Sequence, residues 1–340
     1  MKRCVRFSVL VAMGIALIVP GIAMAQSGTL PSQITFATAR EGTVSYILAV
    51  GKAKVITKYT PMKCIVQPIG FLMQWGPSMA KGDVQISHQS CSGSYAYHYG
   101  ALWWNKKPSH LWLQQLTSGS TLKYGFHVRA NSDIKSVKDL EGKKLYCYFP
   151  AVPSMMPFVN GVFEYYGVDP KKVKQLTITN FAESVQEVID KRADCVITTI
   201  GAGFPKINRA GGCRILPISK EAAEFENKKY PFHSYTVVPA GYLGLPQDTL
   251  LLEDPQILLT HRDVPEAVTY TVLKALYDHN DELKAIHAEG KDWSLETAPK
   301  FKAIPYHVGA IKFLKEKGLW TAEHDRFQKE ALAKDKEVKK

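Results

Sequence analysis

Two short stretches carry residues whose types and spacing could do chemistry. Ser78-Met79-Ala80-Lys81 has the S-x-x-K spacing that sets a serine hydroxyl beside a lysine amine and so offers an activated nucleophile. The companion motifs S-D-N and K-T-G do not occur, and Gly82 follows as a stop, so the segment reads as the last turn of a helix. The other stretch is Ala39-Arg40-Glu41-Gly42-Thr43, a small, polar and charged turn. It joins a β-branched, aromatic strand, Ile34 to Thr38, to a run of helical spacing that begins at Val44. Such a turn points unpaired backbone N–H groups outward at the helix start, where they can hold an anion. Arg40 stands at the strand end, a position suited to a bidentate grip on a carboxylate and equally open to a surface residue. Taken alone, the turn reads as an ordinary strand–helix connection capped by Thr43.

Other catalytic signatures are missing. No G-x-S-x-G turn, P-loop or G-x-G-x-x-G is present, and neither C-x-x-C nor H-E-x-x-H occurs among the six cysteines and ten scattered histidines. No metal or other cofactor is therefore expected. Cys4 lies in an N-terminal segment that reads as an export signal, residues 1–25. Lys2, Arg3 and Arg6 precede the apolar run Phe7 to Ile22, and Ala23-Met24-Ala25 supplies small residues at the cleavage site. Gly14, Pro20 and Gly21 interrupt that run, which argues against a membrane anchor. No cysteine follows the cleavage site to carry a lipid. The expectation is a periplasmic protein with five remaining cysteines, an odd number that leaves at least one unpaired; disulfides are permitted there but cannot be assigned from sequence.

The net charge of +12, three units of it in the signal segment, raises the question of nucleic acid. The basic residues are dispersed, with acidic residues between them, and Lys334 to Lys340 reads as a solvated end. An anionic small solute is the better expectation, with no nucleic-acid partner. Beyond the signal, about 315 residues are too many for one typical core. Strand-like and helix-like stretches alternate: Met62–Ile69, Gln74–Lys81, Val84–Ser87, Gly125–Arg129, then "SVKDLEGKKLYCYF", Phe158–Tyr166 with Gly167 as its stop, "LTIT", Glu183–Lys191, "DCVITTI", "QILLTH", Pro265–His279 and Val308–Lys317. Tyr95, Tyr97 and Tyr99 alternate as in a strand. Such repeats imply parallel sheets covered on both faces, with ligands beyond the carboxyl ends of the strands. The predicted fold is α/β, two lobes joined by crossing hinge strands: residues 26–126 and 256–325 in one lobe, 127–255 in the other, and a charged tail from 326 to 340.

The order of residues in "KKYPFHSYTVVPAGYLG", 228–244, resembles the solute receptors of TAXI-type TRAP transporters, which carry a similar Y-P-F … I-P-A-G-x-Y stretch. "SVKDLEGKKL" is similar to the opening of the family's second lobe, "ADCVITTIGAGFP" to its D-A-A-F … G-x-P segment, and "IPYHVGAIKFLKEKGLW" to its closing I-P-x-H-P-G-A … Y-K-E-K-G motif, with Val308 in place of Pro. The resemblance runs along nearly the whole chain after the signal. It implies a type II periplasmic binding protein fold with a ligand cleft between the lobes. It also implies a receptor that captures a small organic acid and hands it to the TRAP membrane permease. Family members are associated with glutamate, 2-oxoglutarate and similar carboxylates. The alternatives are a secreted enzyme on the same scaffold and a sensing domain for a signalling partner.

Carried over residue by residue, the resemblance places ligand contacts at Thr43 and Tyr46, with Arg40 and Glu41 in the same loop. It adds Gln74, where the family has Asn, with Trp75 beside it; His88, Gln89 and Ser90 at a strand end; Ser154 and Met155 after Pro153; and Gly203. Trp75 fits core as well as cleft, and His88 fits a structural histidine. Phe71, Met73, Trp75, Val152, Pro153 and Met155 stand where the family has small polar donors. That substitution suggests a carboxylate on an apolar or aromatic body in preference to glutamate.

Overall fold

The computed structural model describes residues 29–150, 153–177, 184–201 and 212–339. The expected signal segment and Gly203 lie outside the described residues. Strands Gln33–Ala37 (β1), Lys63–Gln67 (β2) and Ile86–Ser90 (β3) are parallel and alternate with helices Val44–Tyr59 (α1), Leu72–Ala80 (α2) and Cys91–Tyr99 (α3). Lys144–Tyr148 (β5), Lys174–Thr177 (β6) and Cys195–Thr199 (β7) repeat the arrangement with helices Met155–Tyr166 (α4) and Ser184–Ile189 (α5). Two long antiparallel strands, Leu113–Arg129 (β4) and Thr249–His261 (β10), join the two sets into one sheet of order β2-β1-β3-β10-β4-β7-β5-β6. Short strands Cys213–Ile215 (β8) and Ser234–Val238 (β9) pair with β4 and β10.

The long strands change partners along their length. Gln256 to Thr260 of β10 pairs with β3, whereas Thr249 to Glu253 pairs with β9. In β4, Tyr124 to Val128 pairs with β7, and Leu113 to Gln115 pairs with the far end of β10. The switch falls at Pro255, where the register between the two strands shifts. A proline cannot donate a ladder hydrogen bond, so the crossing is the natural place for the sheet to flex. Sequence patterning reveals only the apolar ends of these strands as "QILLTH" and Gly125–Arg129. Their middles, Thr117 to Lys123 and Glu253 to Gln256, are mostly polar: Ser120, Thr121, Lys123 and Gln256 border the space between the lobes, while Ser118 and Asp254 are buried in hydrogen bonds to neighbouring segments.

Burial follows the pleat. Ile257 and Leu259 join a cluster with Trp75, Met79, Tyr97 and Ile304, while Leu258 joins Phe36, Ile56, Val272 and Phe313 on the other face. A third cluster, around Phe126, Leu145, Phe158, Val162, Val196 and Leu251, is the core of the second lobe. Tyr95, Tyr97 and Tyr99 lie on α3 and not on a strand. Their period-two spacing is a short-run coincidence, overridden by the Ser90 cap, whose hydroxyl accepts the Gly93 N–H at 3.2 Å. Cys64, Cys91, Cys147, Cys195 and Cys213 are all free and buried, and burial pushes the Cys64 and Cys147 thiols up to about 12.

The closing motif has a packing explanation. Helix Glu266–Asp278 (α7, following Lys220–Lys229 as α6) lies against Val308–Glu316 (α9, following Asn280–Ile286 as α8). His307 caps α9, its Nδ1 accepting the Gly309 N–H at 3.2 Å and lying 2.9 Å from the Thr269 hydroxyl. A Cβ on Gly309 would stand 2.0 Å from Thr269 Oγ1 and 2.7 Å from the Glu266 carbonyl. Gly309→Ala is expected to push the helices apart and lower stability by about 1–3 kcal/mol in urea unfolding. An unchanged midpoint would contradict this packing.

Candidate functional site

Between the lobes, at the strand crossing, lies a cavity of about 370 Å³, within the range that holds small solutes. The first turns of α1 (Val44, Ser45, Leu48) and His88 at the end of β3 form one wall. Ser120 to Lys123 of β4 and Gln256 of β10 form the floor, and Thr199 to Gly201 with Tyr242 and Leu243 come from the second lobe. The last wall is the segment from Ala288 to Trp293. The chain just after that segment is held onto β4: the Ser118 hydroxyl donates to the Thr297 carbonyl at 2.5 Å and the Ser118 N–H to the Ala298 carbonyl at 2.9 Å. Gly119 is what lets the indole of Trp293 lie flat on the strand, since a Cβ there would meet the ring at 2.2 Å.

Three buried side chains on this cavity have a nitrogen without a hydrogen-bond partner among the described residues: His88 Nδ1, Gln256 Nε2 and Trp293 Nε1. Their residues are 7 %, 9 % and 2 % exposed. Burial, and to a lesser degree Lys52, holds His88 below the ordinary histidine value, so it is the neutral imidazole. Its Nε2 lies 3.2 Å from the Thr38 hydroxyl. In the tautomer that accepts there, Nδ1–H is left without a partner, as are the indole N–H and the glutamine amide nitrogen, all three shielded from solvent beside the cavity. Buried donors left unpaired are costly, and several on one cavity define a place for an acceptor-rich group. Charged residues of both signs complete the lining. Lys123 sits 3.6 Å from Glu253, and Lys291 stands with Glu289 and Asp292, whose carboxyl is raised by burial.

The residues singled out in the sequence fall into three groups. His88 lines this cavity. Gln89, Ser90 and Ser154 line a second, narrow seam of about 30 Å³, with Phe71, Met73 and Pro153. The turn after β1 does not form the wall itself: Arg40, Glu41 and Thr43 are exposed, and none of them, nor Tyr46, lines either space. Thr43 caps α1 by accepting the Tyr46 N–H at 3.2 Å, which orients Val44, Ser45 and Leu48 toward the cavity. Gln74 Oε1 accepts the Phe71 N–H at 2.6 Å, a local helix cap. Trp75 and Met155 are buried in the cores of the first and second lobes, because the first turns of α2 and α4 face inward there.

Sequence reasoning missed Gln256, Trp293 and the second-lobe wall. Trp293 is in a region without regular periodicity, and only the tertiary fold brings it to β4. A wider groove of about 590 Å³ lies elsewhere, between α3, residues 231–234 and the C-terminal helix Ala322–Val338 (α10). Two of its three lysines are engaged within it, Lys302 with Glu323 at 3.0 Å and Lys334 with the Tyr95 hydroxyl.

The sequence profile of the NMT1-like family matches residues 36–318. Among solved structures, XAC2383 from Xanthomonas citri, in a form bound to ATP, is similar over 91% of this chain and 98% of its own, with a TM-score of 0.52 at 10% identity. The periplasmic sulfonate-binding protein SsuA from Methylobacillus flagellatus KT is similar over 87% of this chain and 76% of its own, with a TM-score of 0.48 at 15% identity. At such identities the likeness shows the fold, that of type II periplasmic binding proteins.

Proposed function

The chain belongs to the NMT1-like family, the family of the TAXI-type solute-binding proteins, and from that premise we propose that it captures a small organic acid between its lobes. The observation that carries this reading is that three residues lining one inter-lobe cavity, His88, Gln256 and Trp293, each hold a buried side-chain nitrogen without a partner among the described residues. A carboxylate has only acceptors and replaces its lost water with such donors. Val44, Leu48, Leu122, Ile200 and Leu243 make up much of the remaining wall, which supports a carboxylate on an apolar body over glutamate. Capture is a hinge motion about β4 and β10, with the two lobes closing on the solute. The role is binding without catalysis. Ser78 and Lys81 lie at the end of α2 and line none of the spaces described above. The receptor works in the periplasm and delivers its solute to a TRAP membrane permease, as the family's solute-binding role suggests.

A thermal-shift screen of amino acids, keto acids, dicarboxylates, aliphatic acids and aromatic acids tests the reading, on protein stripped of co-purified solute. A true ligand at a hundredfold excess over its Kd adds about 2.7 kcal/mol of stability. The melting temperature is expected to rise with apolar monocarboxylates. No rise with any acid would contradict the proposal.

A further inference from the structure

The hydrogen-bonding groups left open around the inter-lobe cavity are of two kinds. His88, Gln256 and Trp293 each hold a buried nitrogen without a partner among the described residues. Asp292, the residue before Trp293, lines the same cavity and is the converse case. Its backbone carbonyl accepts the Thr297 hydroxyl, but its carboxyl takes no hydrogen bond and no ion pair among the described residues. Burial raises that carboxyl, and Lys123 and Lys291 oppose the shift. Lys123 of the cavity floor has the larger effect, although Lys291 is the chain neighbour, so the carboxyl is turned toward the floor. Lys123 itself is engaged elsewhere: it donates to the Thr121 hydroxyl at 3.0 Å and stands 3.6 Å from Glu253. Glu289, on the same turn, acts on Lys52, the buried amine 3.2 Å from the centre of the Trp293 ring. Asp292 is thus an open acceptor on a wall that otherwise holds open donors.

An ionised carboxylate offers only acceptors. In a closed site it loses its water, and an apolar body laid against it leaves those acceptors unpaired at a cost. A second carboxylate on the solute would repel it. A hydroxyl or an ammonium on the solute would donate to it and replace the lost hydrogen bonds. Resting on the proposed acid-binding role, we propose that the solute is an acid whose apolar body also carries a hydrogen-bond donor, a hydroxyl or an ammonium, and that Asp292 is the residue that selects it.

The test is calorimetry at neutral pH with acids that share one body: phenylacetate, mandelate, phenylglycine and para-hydroxyphenylacetate. At least one donor-bearing acid is expected to bind the wild type about tenfold or more tightly than phenylacetate. A gain with mandelate or para-hydroxyphenylacetate identifies a hydroxyl, and a gain with phenylglycine an ammonium. Asp292→Ala is expected to lose that gain and to bind phenylacetate as tightly as the wild type or more so, with a melting curve as the control for folding. Asp292→Asn takes its place should Asp292→Ala fold poorly, and is expected to lose the gain for an ammonium and most of it for a hydroxyl. A wild type that binds phenylacetate as tightly as every donor-bearing acid, or a folded Asp292 variant that keeps the gain, overturns the role of Asp292 and leaves the acid-binding role standing. So does phenylacetate bound more tightly by the wild type than by the variant, which would make Asp292 a proton donor to the acid. A wild type that binds none of the acids overturns both readings.

Discussion

Trp293→Phe is expected to weaken binding of an apolar monocarboxylate by about ten- to a hundredfold while leaving the protein folded. The phenyl ring keeps most of the surface that lies on Gly119 and beneath Lys52, whereas the indole N–H is lost. A hydrogen bond to a charged group contributes about 1.5–3 kcal/mol, which sets that range. Trp293→Ala is the less useful variant. It opens a hole in a residue only 2 % exposed and is expected to cost about 3–5 kcal/mol of stability, which would confound a binding measurement. Calorimetry on Trp293→Phe, with a melting curve as the control, checks the expectation. Affinity equal to wild type in a folded variant would remove the indole from the site.

The largest expected effect on stability lies at the strand crossing. Asp254 is fully buried in β10, and its carboxylate accepts the Ser92 N–H at 3.1 Å and the Ser92 hydroxyl at the start of α3. Burial raises its carboxyl above the usual range; His233 and the Ser92 hydrogen bonds oppose that shift. His233 in turn lies 2.7 Å from Glu226 of α6, both side chains wholly buried. The set ties α3 of the first lobe to the second lobe at the point where the sheet changes partners. Asp254→Ala leaves the Ser92 N–H and hydroxyl without this acceptor, removes the carboxyl that His233 acts on electrostatically, and is expected to cost about 3–5 kcal/mol in urea unfolding. Asp254→Asn keeps one acceptor and is expected to cost distinctly less. Equal and small losses in both variants would show that the network is not structural.

Much of the fold is legible in the sequence because its signals are local. Gly167 adopts the left-handed conformation that ends α4, and the helix after Pro265 carries its apolar face at helical spacing. The middles of β4 and β10 escape pattern reading because a crossing strand alternates against two different lobes and a cleft. The site is legible only in part. The resemblance reaches His88, yet Gln74 and Trp75 do not follow the expected pattern, since a helix cap and a core aromatic are alternative uses of the same residue types. Lys52 had a readable signal: it falls four residues after Leu48 and four before Ile56, on the apolar stripe of α1, where an unpaired lysine is out of place. Trp293 had none, because its contact with Gly119 spans about half of the chain.

The most direct test of the acid-binding role is a crystal structure of the protein with an acid that raises its melting temperature. The carboxylate is expected between the lobes, within hydrogen-bond distance of Gln256 Nε2 and Trp293 Nε1, with His88 beside it. Density for the acid in the groove between α3 and α10, or a carboxylate turned away from these donors toward solvent, would contradict it.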